Sequence, residues 1–219
     1  MHEWPEAESD TPPLDDTSAM NREQIESIAR NLMLSRQEHD GREPGWLFYH
    51  GLRTARIAEE LCGILSVDTD RDTLFAGALF HDIGKGSEPH NLRGAELTAG
   101  ALAGHCDGDR LDKVCEIVRM HNQRQASGDP PPAVRVVQDA DVIDHVGPVV
   151  PWLAFYWSGT RNETVDDHAR FITGKDHVRY LQKMRSMLNF DISIAMFDER
   201  VRWQENFFAT FRKAYFEGV

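Results

Sequence analysis

Apolar residues recur at three- and four-residue steps along most of this chain, which is the spacing of one face of an α-helix. In one segment the repeat runs through Ala55, Ala58, Leu61 and Leu65. No clear alternation typical of a β-strand accompanies it, and no internal repeat is visible. The pattern therefore predicts an all-α protein, a compact helical bundle whose core helices carry the functional side chains.

Caps and chain breaks divide this pattern into nine predicted helices. They are expected from 21 onward, at 46–64, 70–81 and 91–102, from 107–109 to about 121, from 130–132 onward, and at 149–157, 176–189 and 191–216. Residues 158–176 are predicted to be irregular and polar. Residues 1–20 are acidic, contain proline and have few aliphatic side chains, so they are predicted to form a disordered tail. Residues 21–219 are predicted to form a single domain.

The pair His81-Asp82 directly follows the apolar run 74–80, which is typical of a buried helix. Ionisable side chains there cost free energy unless their charges are compensated, and a divalent cation would compensate them. Neighbouring residues of a regular helix point about 100° apart, so both reach one ion only where the helix ends. Gly84 is expected to supply the turn at that end.

Partners for this pair occur in two other predicted helices. His50 lies upstream, and Asp139, Asp141 and Asp144 lie in one downstream segment. Asp141 and Asp144 share a helix face, whereas Asp139 points about 200° away from Asp141. Asp144 either orients a ligand or is a solvated acid at a helix end. The predicted metal ligands are His50, His81, Asp82 and Asp141. Two nitrogens with two oxygens suit Mn, Fe, Zn, Co or Ni better than Ca.

In this order the segments resemble the H…HD…D signature of the HD phosphohydrolase superfamily, and in particular its small stand-alone bacterial members. The residues His50-Gly51-Leu52-Arg53 resemble its H-x-x-R segment, and 138–144, QDADVID, resemble its QDADRLD segment. Val142-Ile143 replaces the Arg-Leu of that segment, so any substrate contact made by that arginine is missing here. The resemblance extends over about residues 45–217 and implies an HD-domain helical bundle with its metal site in the core.

The resemblance also implies a metal-dependent phosphohydrolase that acts on a nucleotide or a related small phosphorylated metabolite. A phosphomonoester or a pyrophosphate bond would be cleaved by water activated on a divalent ion of Mn, Fe, Co, Ni, Zn or Mg. Two alternatives stay open. A di-iron HD-type oxygenase would need further ligands, for which His90, expected to be exposed, and His121 are the candidates. A non-catalytic sensor would bind a nucleotide without hydrolysing it.

Three further side chains complete the predicted site. His121 is a candidate general acid, a ligand of a second metal, or a buried structural histidine. Lys85 could hold a phosphate as a point charge or be solvated, and Arg53 could offer its fork to a phosphate or form a surface ion pair. We predict Asp82, His121 and Lys85 as catalytic residues, and Arg53 and Lys85 as substrate-binding residues. The aromatic group 152–157 is expected in the core or along the pocket.

The composition limits the possible binding partners and the expected cellular compartment. The net charge of −12, from 24 basic and 36 acidic residues, opposes binding to nucleic acid. No apolar stretch reaches the roughly 20 residues of a membrane span, and no secretory signal begins the chain. The three cysteines show no C-x-x-C spacing. We expect a cytoplasmic protein with a small phosphorylated substrate and neither nucleic acid nor membrane as partner, and a homodimer stays open.

Overall fold

Helices make up all the regular secondary structure of the described residues. The computed structural model describes residues 20–124 and 128–218, and over these ranges it has ten α-helices and no strand. In chain order they are α1 Arg22–Met33, α2 Trp46–Leu65, α3 Arg71–Phe80, α4 His90–Leu102, α5 Gly108–Met120, α6 Pro132–Asp144, α7 Val150–Thr160, α8 Val165–Ile172, α9 Lys175–Ser186 and α10 Asp191–Glu217. The predicted all-α fold is confirmed.

Helix α3 lies at the centre of the fold. Asp70 begins it as a cap, since its carboxylate accepts a hydrogen bond from the backbone N of Thr73. Every residue from Thr73 to Phe80 is buried, because α1, α2, α5 and α6 all pack against this helix. Helix α2 packs on α6 as well, and α4 packs on α5. The three helices that bear or precede the predicted ligands, α2, α3 and α6, are therefore mutual neighbours.

Helices α2 and α3 approach each other most closely at Gly51. A Cβ atom on Gly51 would lie 2.3 Å from the backbone oxygen of Leu79, closer than non-bonded atoms pack. His50 precedes this contact in α2, and His81 follows it by two residues at the end of α3. The absence of a side chain at Gly51 thus lets the two histidines come together.

The turn after α3 differs from the expectation for Gly84. That residue does not adopt a left-handed conformation, whereas Gly86 does, with φ of +90°. A Cβ atom on Gly84 would lie 2.0 Å from the oxygen of His90 and 2.5 Å from the nitrogen of Gly94. Gly84 therefore allows the turn to pack closely against α4, and this packing brings the start of α4 to the site.

The predicted irregular segment 158–176 is wrong in part, because Val165–Ile172 forms α8. A capping box begins this helix: the Thr164 hydroxyl accepts from the backbone N of Asp167, and the Asp167 carboxylate accepts from the backbone N of Thr164. This T-x-x-D pattern is a sequence signal for a helix start. The polar composition of the segment concealed it.

Two predictions concern the chain outside this helical core. The predicted tail, residues 1–20, lies outside the described residues except for Met20, which is buried. A single domain over 21–219 stays a prediction. Within the described ranges, no helix has the length and apolar composition that crossing a bilayer requires.

Candidate active site

Two fully buried histidines form the floor of the site. His50 of α2 and His81, which caps the end of α3, have ring centroids 4.9 Å apart. The Nδ1 atom of His81 donates to the oxygen of Ala78 at 2.7 Å, and that of His50 donates to Asp144 at 2.8 Å. Among the described residues, neither Nε2 atom has a hydrogen-bond partner, and both are buried. Two imidazole nitrogens thus point into one space, an arrangement typical of metal ligands.

Two carboxylates face these nitrogens. Nε2 of His50 lies 3.3 Å from Oδ1 of Asp141 and 3.7 Å from Oδ2 of Asp82. Nε2 of His81 lies 3.6 Å from Oδ2 of Asp82 and 3.7 Å from Oδ1 of Asp141. These distances are close to the roughly 3.4 Å edge of a tetrahedron whose corners lie about 2.1 Å from its centre, the usual ligand distance for Zn. The four side chains predicted as metal ligands therefore converge. Of these, His50, His81 and Asp82 form one group that could hold a metal ion, and His50 and Asp141 form another with His145.

The charges of these four side chains favour a cation between them. Burial alone would lower the pKa of His50, but the nearby carboxylates of Asp141 and Asp144 outweigh it and raise the pKa to about 9. Burial would raise the pKa of Asp82, yet the His81 and His121 rings keep it low. For Asp141, the nearby His50 and His81 rings also outweigh burial and keep the pKa well below its usual value. Both carboxylates are therefore anionic, and a cation between the buried Asp82 and the partly buried Asp141 would stabilise them.

Asp144 holds His50 from behind. Its carboxylate, 2% exposed, accepts the His50 hydrogen bond and two further bonds from Nε and Nη2 of Arg53, at 2.8 and 2.9 Å. Burial would raise the pKa of Asp144, but the bonds from His50 and Arg53 lower it. Asp144 is therefore not a solvated acid at a helix end. Its contact with His50 fits the other alternative, in which it orients a ligand, and that role stays a prediction. Asp139 points elsewhere, as expected, and accepts from the backbone nitrogens of Asn189 and Phe190.

Arg53 thus has its planar fork on Asp144, and it does not line the cavity described below. Because its partner Asp144 is buried, Arg53 does not form the expected surface ion pair, and its guanidinium is not open to a ligand. Its predicted contact with substrate stays a prediction.

The second oxygen of Asp82 faces a different group of side chains. Oδ1 lies 3.4 Å from Nε2 of His121, 3.7 Å from Nε2 of His90 and 3.5 Å from Nζ of Lys85. His121 is buried, with Nδ1 donating to the oxygen of Val118 at 2.7 Å. His90 is partly buried rather than exposed. Asp82, His90 and His121 form a second group that could hold a metal ion.

A cavity of about 440 Å³ opens above both groups. Its lining includes Asp82, Asp141, Lys85, His90 and His121, together with residues from the 36–46 segment, α7 and α9. Three aromatic side chains, Trp46, Trp157 and Tyr180, and two further cations, Arg36 and Arg42, also line it. Within the aromatic group 152–157, Trp157 therefore lies along the cavity, whereas Trp152 is 56% exposed.

Sequence reasoning missed several of these lining residues. His145 donates from Nδ1 to the oxygen of Asp141 at 2.8 Å, and Trp46 stacks on His50 with ring centroids 4.5 Å apart. Both stand four residues from a predicted ligand, so helical spacing could have identified them. Tyr180 lies on α9, far along the chain, and only the tertiary fold brings it to the site.

Residues 47–145, which include all four predicted ligands, match the family model of the HD domain. This segment is an HD domain. Solved structures with a similar fold include Bacillus subtilis YpgQ in complex with ADP, 20% identical, with a TM-score of 0.61 and coverage of 88% of this chain and 97% of that one.

Two other solved structures are similar to most of the chain. An HD-superfamily hydrolase from Bacillus thuringiensis is 18% identical, with a TM-score of 0.62 and coverage of 89% of this chain and 96% of that one. A Lactobacillus plantarum protein is 19% identical, with a TM-score of 0.58 and coverage of 90% and 99%. A search of curated proteins found no match. The fold of this chain is therefore similar to that of these three proteins.

Proposed function

We propose that this chain is a metal-dependent phosphohydrolase that acts on a nucleotide or a related small phosphorylated metabolite. The observation that carries the proposal is the orientation of His50 and His81, whose buried and unpartnered Nε2 atoms face two carboxylates at the edge of a cavity. Lys85 adds a cation to the same edge. Such a site suits an anionic ligand held against a cation.

In this proposal His50, His81, Asp82 and Asp141 hold the ion. A divalent ion, when bound, supplies a Lewis acid that makes water a nucleophile at neutral pH and polarises a phosphoryl oxygen. Lys85 extends its ammonium group from the turn after α3, where 41% of the side chain is exposed. It would balance the negative charge that builds on the phosphoryl oxygens.

His121 is the candidate general acid. Its ring is fixed by the bond from Nδ1 to Val118, and its Nε2 atom lies 3.4 Å from Oδ1 of Asp82. The bond to Val118 keeps one proton on Nδ1, so a second proton on Nε2 would lie at the cavity floor, next to the place where the phosphate ester would lie. Transfer of this proton to the leaving oxygen is the step that we assign to His121.

A nucleotide is supported by the cavity itself. A volume of about 440 Å³ lies in the range of small-ligand sites. Trp46 and Trp157 supply aromatic surface that could cover a base or a ribose. Bacillus subtilis YpgQ, with a similar fold, has been crystallised with ADP. We propose hydrolysis of a phosphomonoester or a pyrophosphate bond, without choosing between them.

The test is metal analysis followed by a release assay. Metal-free protein would be reloaded with Mn, Fe, Co, Ni, Zn or Mg, and phosphate and pyrophosphate release measured over nucleoside mono-, di- and triphosphates. Asp82→Ala should lose both the ion and turnover, whereas Asp109→Ala, which changes an aspartate in the first turn of α5, should keep both. An Asp82→Ala variant without metal but with full activity would contradict the proposal. So would absence of release from every compound.

A second candidate function has its own observation. Because Asp82, His90 and His121 lie together beside the first set, two ions could be bound, as in a di-iron oxygenase. Two irons per chain with uptake of dioxygen would favour this candidate. One ion per chain with phosphate release would favour the hydrolase.

A further inference from the structure

Arg42 is a cation of the cavity wall that has no anionic partner among the described residues. It is half-buried, and its guanidinium lies 5.0 Å from the ring centroid of Trp46. It forms no ion pair with a carboxylate of residues 20–124 or 128–218, and the group that interacts with its charge is the Tyr180 phenol. A cation removed from water without a counter-ion costs free energy. Burial accordingly lowers the pKa of Arg42, against the opposing effect of Tyr180.

The neighbouring Arg36 provides a contrast. Its Nη1 and Nη2 atoms donate to the backbone oxygens of Ile83 and Lys85 at 2.7 and 2.8 Å, and its Nε pairs with Glu38. The donors of Arg36 thus fasten the turn after α3 to the chain before α2. Of these two cavity arginines, Arg42 is the one whose fork is open to a ligand.

Arg42 and Lys85 belong to different sides of the site. Trp46, which Arg42 contacts, stacks on His50, and Tyr180 interacts electrostatically with both Arg42 and Asp141. Arg42 therefore belongs to the Asp141 side. Lys85 belongs to the Asp82 side, because its Nζ lies 3.5 Å from Oδ1 of that residue.

We propose that Arg42 is a specificity-determining residue that binds a phosphate group other than the one attacked. The preferred substrate then carries at least two phosphates, as a nucleoside di- or triphosphate does. One phosphate would lie over the metal ligands near Lys85, and the next would be held by the Arg42 fork. This inference rests on the proposed function and narrows its substrate class.

The test compares substrates with one, two and three phosphates on the same base. Arg42→Ala should raise KM for di- and triphosphates about tenfold or more, the effect of losing a charge-assisted hydrogen bond. KM for the monophosphate and the content of bound metal should stay unchanged, and kcat should change little for all three. Arg42→Lys should recover part of the loss, because it keeps the charge without the fork.

Arg161→Ala is the matched control. This arginine also lies over a tryptophan, at 3.8 Å from the Trp157 ring centroid, but it is exposed and does not line the cavity. Its removal should leave the preference between mono- and diphosphates unchanged. A fall in kcat/KM by one factor for all substrates in Arg42→Ala, or a loss of bound metal, would overturn the inference.

A binding experiment tests this inference independently of the proposed function. Calorimetry would compare adenosine monophosphate with adenosine α,β-methylene diphosphate on metal-loaded protein, adenine being the base of the ligand seen in YpgQ. The wild type should bind the diphosphate analogue at least tenfold more tightly, a difference of about 1.4 kcal/mol, and Arg42→Ala should not. If the analogue binds in this way but the release assay finds no hydrolysis of any nucleotide, the proposed hydrolase is wrong, whereas Arg42 remains the phosphate-binding residue. Equal binding of the analogue by both proteins, or by neither, would overturn the inference.

Discussion

Replacing Asp144 with asparagine should weaken metal binding and lower stability together. Asp144 is buried and accepts three hydrogen bonds, one from His50 and two from Arg53. Asparagine keeps the shape, but it removes the charge and turns an NH2 group toward one of the donors. The variant therefore perturbs the support of His50 without leaving a cavity.

The size of the effect follows from these bonds. A hydrogen bond to a charged group contributes about 1.5–3 kcal/mol, and a bond between neutral groups about 0.5–1.5 kcal/mol. Loss of the charge should weaken the bond from His50 by about 1 kcal/mol and leave the Arg53 guanidinium without its counter-ion, so the free energy of unfolding should fall by about 3 kcal/mol in all. For a chain of this length, Tm should fall by about 6–12 °C.

Metal affinity should fall for a separate reason. The Asp144 carboxylate holds the proton on Nδ1 of His50 and thereby leaves Nε2 free to bind an ion. Loss of such a partner typically lowers metal affinity by about 10–100-fold. Titration of Mn into metal-free protein, followed by calorimetry, measures this loss. Thermal unfolding in excess chelator measures the stability of the same sample without the metal.

Arg53→Ala serves as the comparison. It removes two of the three bonds but leaves Asp144 on His50, so Tm should fall with a smaller loss of Mn affinity than in Asp144→Asn. Wild-type Mn affinity in Asp144→Asn would refute the reasoning, and so would an equal loss in both variants. A raised KM in Arg53→Ala with unchanged metal affinity would support the substrate contact that the sequence suggested for Arg53.

Two further predictions concern stability. Gly51→Ala should lower the free energy of unfolding by at least about 2 kcal/mol, because its Cβ would meet the oxygen of Leu79 at 2.3 Å. The control is Gly100→Ala in α4, where a Cβ would meet nothing within 4 Å, and it should raise the free energy of unfolding by about 0.5 kcal/mol. Urea titrations measure both changes. Asp70→Ala should cost about 0.5–2 kcal/mol at neutral pH. Burial would raise the pKa of Asp70, but hydrogen bonds from Thr73 lower it, so the contribution is complete above about pH 4 and is lost as the pH falls through the lowered pKa. A difference from wild type that does not shrink in acid would contradict this.

The fold was predictable to the extent that each helix carries its own signal. The buried run 74–80 and the stripe after His50 repeat at helical spacing over long segments, and the structure has α3 and α2 there. Helix α8 has only eight residues and a polar composition, so few apolar positions mark it, and its capping box at Thr164 was the clearer signal. Gly84 shows another limit: sequence indicates a flexible residue, but only the fold distinguishes a turn from a close approach to α4.

The convergence of the predicted ligands could be predicted because each ligand is a polar side chain in an otherwise apolar part of its helix. A charged side chain on an apolar stripe, such as Asp141, requires a partner, and the sequence supplies the candidates. The outer parts of the cavity give no such signal. Arg42 and Tyr180 lie in segments that look like ordinary loop and surface helix, and they meet only because α9 packs beside the 36–46 segment. Side chains that contact a substrate across elements need tertiary structure to be found.

Asp82 belongs to both groups of the site, and this limits what its substitution can decide. Oδ2 faces His50 and His81, whereas Oδ1 faces His90 and His121. Loss of Asp82 would empty either a single site or a double one, so it cannot separate the hydrolase from the two-ion alternative. His90 belongs to the second group alone. A His90→Ala variant that keeps one ion per chain and loses a second would establish two ions, whereas unchanged metal content would leave the second group free to bind substrate or hold a proton.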